Sequence, residues 1–187
     1  MKKLLLAAAL LVGSASAASA QSTVVKANIF SPLVKTGSFF VEHAVGEHSS
    51  LQLGGLFTKW SIDDTSLSGF ALTPEYRLYL SASKPALQGF YVGPFLRYQN
   101  LKLSTSYASI DGGGTAEASL STYGGGVVVG HQWLFKQRFS LDTFLGPSYN
   151  GGTIKLKESS SGAGASFDAG VFKGFGIRSG VTFGLAF

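Results

Sequence analysis

Residues 71–80 read ALTPEYRLYL, and strict alternation divides them between two chemically different faces. Phe70, Leu72, Pro74, Tyr76, Leu78 and Leu80 fall on one side; Ala71, Thr73, Glu75, Arg77 and Tyr79 fall on the other. Side chains of an extended strand alternate with period two, so the pattern predicts a strand with one apolar and one mixed face. The same parity recurs along the chain. Over 88–102, Phe90, Val92, Pro94, Leu96 and Tyr98 oppose Tyr91, Gly93, Phe95, Arg97 and Gln99. Over 139–150, Leu141, Thr143, Leu145, Pro147 and Tyr149 oppose Asp142, Phe144, Gly146 and Ser148. Over 172–187, Phe175, Ile177, Val181, Phe183, Leu185 and Phe187 oppose Gly174, Gly176, Arg178, Gly180, Thr182 and Ala186.

Helical periodicity is poor, and after residue 20 no apolar run is long enough for a membrane-spanning helix. The chain therefore reads as all-β. Eight strand-like segments are expected, over 23–31, 36–45, 50–60, 69–80, 88–102, 119–134, 139–150 and 172–187. After a short first connection, the second, fourth and sixth are tight, while the third, fifth and seventh are longer and rich in Gly, Ser and Asp. Short turns on one side and longer loops on the other are the signature of an antiparallel up-and-down transmembrane β-barrel. Pro74, Pro94 and Pro147 cannot donate to a ladder, and local bulges are expected there.

Two barrels fit the alternation. A soluble ligand-binding barrel would hold the apolar face inside and turn its charges to water. A membrane barrel inverts this, with an apolar outer band and a polar interior. Charged residues are only 13% of the chain and Gly reaches 25 residues, much of it opposite the apolar face. That is too little charge and too much glycine for a solvated surface, so the inverted arrangement is expected. Glu75 and Arg77 then point into the barrel.

The N-terminus supports a route to a membrane. Lys2 and Lys3, the apolar run Leu4–Val12, and Ala18 and Ala20 fit a secretory signal peptide cleaved after Ala20. Residues 21–187 would then form one barrel domain. The absence of cysteine excludes disulfides, thiolate metal sites and thiol nucleophiles. Fifteen Lys and Arg stand against ten Asp and Glu, two of the basic residues lie in the leader, and no basic run interleaves with aromatics. Nucleic acid is not an expected partner.

The interior parity collects Lys26, Glu42, Glu75, Arg77, Arg97, Asp142 and Arg178. Eight strands leave an interior that side chains just fill, so these charges are expected to pair as a plug and not to line a pore. Arg97 is expected beside Glu75 and Arg77. Phe57, Phe70, Tyr98 and Tyr149 at one level, and Phe90, Trp133, Phe139 and Phe187 at the other, are expected to form two interfacial girdles. Lys59 and Lys102 share the outward parity near strand ends, where they can snorkel.

An enzyme acting on lipids is the main alternative, and its base would be His43, His48 or His131. All three are placed at the tight-turn end, and none has a Ser two residues on, the spacing that would put both on one strand face. No catalytic residue, metal or cofactor is therefore expected. The glycines of 111–115, DGGGT, open no helix and lack the lysine of a phosphate loop.

The chain ends SGVTFGLAF, with Val181, Phe183, Leu185 and Phe187 alternating to the last residue. This resembles the C-terminal signature that the barrel-assembly machinery of bacterial outer membranes reads. The segments VVKANIFSPLVKTGSFFVEHAV, GFALTPEYRLYL, KPALQGFYVGPFLRY, GGGVVVGHQWLF and FSLDTFLGPSY together resemble a family of small, porin-like outer-membrane β-barrels of unknown function typical of Bacteroidota. The resemblance implies eight strands in the outer membrane and supplies no catalytic residues. A monomeric barrel among outer-membrane lipids is expected, with a structural, porin-like or surface-binding role. Loops 104–118 and 150–171 are the candidate surface for a ligand.

Overall fold

The computed structural model describes residues 22–81, 84–107, 114–159 and 174–187. Eight strands run over Thr23–Asn28 (β1), Thr36–Gly46 (β2), Ser49–Ile62 (β3), Thr65–Tyr79 (β4), Gly89–Tyr107 (β5), Gly114–Phe135 (β6), Phe139–Ser159 (β7) and Gly174–Ala186 (β8). Each pairs antiparallel with its sequence neighbours, and β8 returns to β1, closing the barrel. At the closing seam Thr23 and Phe187 exchange backbone hydrogen bonds of 2.9 and 3.3 Å, so both ends of the barrel sequence lie at one end, here the terminal end.

Alternation is realised directly as burial. Along β4, Ala71, Thr73, Glu75, Arg77 and Tyr79 are buried, while Leu72, Pro74, Tyr76 and Leu78 are exposed. Closure forces this division, because every other side chain of a barrel strand must enter the lumen.

Several boundaries differ from the sequence expectation. β5 continues to Tyr107, β6 begins at Gly114, and β7 continues to Ser159. The expected loops 104–118 and 150–171 are therefore in large part strand, while residues 108–113 and 160–173 lie outside the described residues. Ser, Thr and Ala there read as loop by composition. They nonetheless pair well once a cross-strand partner is in register, as in Ser104 with Glu117 and Thr105 with Ala116. The expected third loop is a two-residue turn at Asp63 and Asp64, with Asp63 in the left-handed region (φ 48°), which Asp tolerates. Connection length thus does not sort by end as expected, since the longer β4–β5 connection lies at the terminal end.

The prolines do not create bulges. Pro74 pairs in unbroken register with β3, Pro94 with β6 and Pro147 with β8. The ladder lapses beside Pro74 and Pro94 on the β4–β5 seam, and beside Pro147 on the β6–β7 seam, with register kept on either side. One missing N–H removes bonds toward one neighbour only. The register shift lies instead between Ala44 and Gly46.

Candidate functional site in the lumen

Six charged side chains meet inside the barrel. Lys26 from β1 reaches Glu42 Oε2 at 2.5 Å and Asp142 Oδ2 at 3.0 Å. Arg77 from β4 reaches Glu75 Oε1 at 2.6 Å, Asp142 Oδ2 at 2.8 Å and Glu42 Oε2 at 3.2 Å. Arg178 from β8 pairs with Glu75 Oε2. Tyr79 donates to Glu42 Oε1 at 2.6 Å, Ser50 donates to the same oxygen at 2.5 Å, and Tyr91 donates to Asp142 Oδ1 at 2.8 Å. Every oxygen of the three carboxylates therefore has a donor.

Three cations face three anions, and Glu42, Arg77 and Asp142 are each 0% exposed. Burying a charge is costly unless it is paired and its remaining valences are hydrogen-bonded. This cluster meets both conditions for its carboxylates. Gln132 bridges the two halves, its Oε1 accepting from Lys26 and Arg77 at 3.1 Å each. The Arg77 guanidinium also lies 4.2 Å above the Tyr91 ring. Interior glycines make room for these groups: a Cβ on Gly130 would fall 2.5 Å from the Tyr91 hydroxyl, and one on Gly180 2.5 Å from the Phe144 ring.

At the terminal end the lumen is stoppered by apolar residues. Val24 and Ala186 from the closing strands pack with Ala86 and Leu87 from the β4–β5 connection, and Ala44 and Leu134 adjoin them. Leu87 is 1% exposed and adopts φ 74°, so the connection turns back into the barrel; Ala86 N–H anchors it to the Glu47 carbonyl at 2.7 Å. On the other side of the ion cluster, Arg178 stacks over Phe95 and Phe144 at 4.5 and 4.7 Å.

Of the residues singled out from sequence, Lys26, Glu42, Glu75, Arg77, Asp142 and Arg178 come together. Arg97 does not. Register sets Phe95, and not Arg97, opposite Glu75, and Arg97 has no ion pair among the described residues. Ser50, Tyr79, Tyr91, Gln132 and Leu87 belong to the same packed interior and were not singled out. For Tyr79 and Tyr91 the signal was available, since both share the parity of Glu75, Arg77 and Arg97.

The outward aromatics Phe57, Phe70, Phe90, Trp133, Phe139 and Tyr149 are exposed. Tyr98 is half-buried, in contact with Phe70 and Tyr123. Phe183, Leu185 and Phe187 are exposed as well, with Val181 half-buried among them. His43 meets the Thr23 hydroxyl at 2.8 Å on the surface, and His131 is flanked by the rings of Phe90 and Trp133. Among the described residues no group of His, Asp and Glu is arranged to hold a metal ion.

A closed eight-stranded antiparallel barrel, apolar outside and ion-paired within, is the class of protein that this architecture defines. The chain belongs to the family described as a protein of unknown function, DUF3575, whose model matches residues 5–158. Among solved structures it is similar to Acinetobacter baumannii CarO, at 10% identity and a TM-score of 0.49, covering 89% of this chain and 96% of that chain. It is also similar to the N-terminal β-barrel domain of Pseudomonas aeruginosa OprF, at 12% identity and a TM-score of 0.39, covering 89% of this chain and 98% of that one. A comparison with curated proteins finds no match.

Proposed function

We propose that this chain is an integral outer-membrane β-barrel of a Gram-negative bacterium, exported by the leader expected over residues 1–20. Its role is structural, porin-like or surface-binding, and its lumen is plugged by the Lys26–Glu42–Glu75–Arg77–Asp142–Arg178 network. One observation carries the reading: charge is inside and apolar surface is outside. Leu96 is 68% exposed and Phe90 64%, while Glu75 is 2% exposed and Asp142 0%. A soluble monomer rarely exposes a contiguous apolar patch beyond a few hundred Å². Here the apolar residues extend around the barrel, through Val41, Leu53, Leu78, Leu96, Val129, Leu145 and Phe183. Hydrocarbon is the solvent that suits such a face.

Outward Lys59 and Lys102, both exposed, suit contact with lipid headgroups, and the outward aromatics suit the two interfaces. Phe187 suits recognition by the assembly machinery. The lipid-modifying alternative gains no support from the histidines, since His43 binds a threonine hydroxyl and His131 sits between aromatic rings on the outward face. Fractionation tests the proposal: the protein should appear in the outer-membrane fraction as a heat-modifiable band. Recovery as a soluble species from the periplasm or medium would favour the secreted ligand-binding barrel instead.

A further inference from the structure

Among the described residues, Arg97 is the one interior cation that the plug does not use. The six charges of the network balance, three against three, so Arg97 is a surplus positive charge. Its side chain points inward from β5, its Nε is fully buried, and that Nε has no hydrogen-bond partner among the described residues. A partly desolvated guanidinium without a counter-charge is costly, and its planar fork matches a phosphate or carboxylate group.

The surroundings of Arg97 suit such a visitor. A cavity of about 320 Å³ lies on the far side of the ion cluster from the terminal end, lined by Arg97, Gln99, Ser148, Asn150 and Arg178. A second, of about 120 Å³, shares Arg97 and Arg178 and is otherwise bordered by neutral residues such as Ser38 and Thr73. Among the described residues no carboxylate lines either one. Arg178 is fixed by Glu75 and by its stacking on Phe95 and Phe144. It therefore offers a held guanidinium beside one that has no ion pair among the described residues. Gly176 leaves the wall between Ser148 and Asn150 open, and a Cβ there would come within 3.2 Å of the Ser148 hydroxyl.

We propose that the tier formed by Arg97, Arg178, Gln99, Ser148 and Asn150 is a binding site for a small soluble oxyanion, a phosphate or carboxylate group. Two guanidiniums supply forked donors that match such a group, and the amides and hydroxyl complete its shell. The anion enters from the end opposite the termini, because the apolar stopper at Leu87 and the ion cluster close the other route. This goes beyond the membrane reading, since it concerns the interior alone and holds whether or not the barrel conducts.

The test uses the full chain folded in an alkyl maltoside, with inorganic phosphate as the probe and ³¹P NMR as the readout. Binding should be saturable, displaced by sulfate, and unaffected by chloride at matched ionic strength. Arg97→Gln should weaken it about tenfold or more, the scale of a charge-assisted hydrogen bond. Lys102→Gln, which removes the same charge from the outward face, should leave it unchanged. If Arg97→Gln does not fold, Asn150→Leu, which fills the cavity at constant charge, should weaken phosphate binding instead. Phosphatidylglycerol added to the micelle should not compete; displacement by it would move the site to a lipid headgroup and overturn the proposal. Unsaturable binding to the unaltered protein would overturn it too, as would equal losses in the Arg97 and Lys102 variants.

Discussion

Arg77 on β4 and Asp142 on β7 stand 65 residues apart in sequence and meet across the lumen at 2.8 Å, although their strands are not neighbours. The contact crosses the interior and ties opposite walls together. Removing one partner of a buried pair leaves an uncompensated charge, at a cost of about 3–5 kcal/mol. Arg77→Ala should therefore lower unfolding stability by that amount in a urea titration of the barrel in lipid.

The geometry also says which second change helps. Without Arg77, Glu75 keeps Arg178, whereas Glu42 and Asp142 are left to share Lys26. Adding Asp142→Asn to Arg77→Ala should recover part of the lost stability, and more than adding Glu75→Gln does. Equal recovery from both would show that the two halves of the cluster are not separately paired.

Tyr79→Phe removes a single donor from Glu42 and keeps the ring. A hydrogen bond to a charged group contributes about 1.5–3 kcal/mol, and the Ser50 hydroxyl remains on the same oxygen. A loss at the lower end of that range is expected from the same titration. No change would mean that water or Ser50 fully replaces the phenol.

Leu87 stoppers the terminal end. Leu87→Ala should destabilise the barrel by about 2–5 kcal/mol, the cost of truncating a buried leucine. In planar bilayers the unaltered protein should stay near baseline conductance, because ion cluster and stopper fill the lumen. A steady ion-selective current from the unaltered protein would contradict the plug.

Phe187 closes the ladder against Thr23 through its backbone and exposes its ring outward. Phe187→Ala keeps the backbone bonds and removes the ring. If the ring is the assembly signal, this variant should accumulate in the periplasm nearly as much as Phe187→Asp. Normal levels of folded, heat-modifiable barrel for Phe187→Ala would leave the terminal residue with a ladder role only.

Epitope tags placed in 108–113 and in 160–173 should be reached by antibody on intact cells, and tags at 136–138 should not. The reverse labelling would invert the orientation of the barrel.

The alternation that divides ALTPEYRLYL carried most of the fold, because parity in a closed barrel has a single structural meaning. It placed Lys26, Glu42, Glu75, Arg77, Asp142 and Arg178 inside, yet it could not pair them. Pairing depends on shear, which slides Glu75 opposite Phe95 and leaves Arg97 without an ion pair among the described residues. Parity likewise puts Tyr79 and Tyr91 inside without assigning their partners. A phenol such as Tyr91 becomes a carboxylate donor only when register sets it against Asp142, and no local pattern encodes that. Leu87 follows Pro85 and Ala86 in a stretch that reads as turn, and its burial is decided by the space left beneath the barrel. The polar extensions of β5, β6 and β7 are not legible in composition, since Ser and Thr look like loop until a partner strand is known.

The closing seam bears on how the barrel is made. β1 is 6 residues long against 22 for β6, and it alone joins the two ends of the chain. Bringing it to β8 demands the longest loop closure in the molecule for one of its shortest ladders, so this step comes late. β1 also carries Lys26. Until it docks, the ion-paired cluster holds Glu42, Glu75 and Asp142 against only Arg77 and Arg178, an excess of one negative charge. The arrival of the last strand neutralises that cluster, so closure in this protein is an electrostatic event as well as a geometric one.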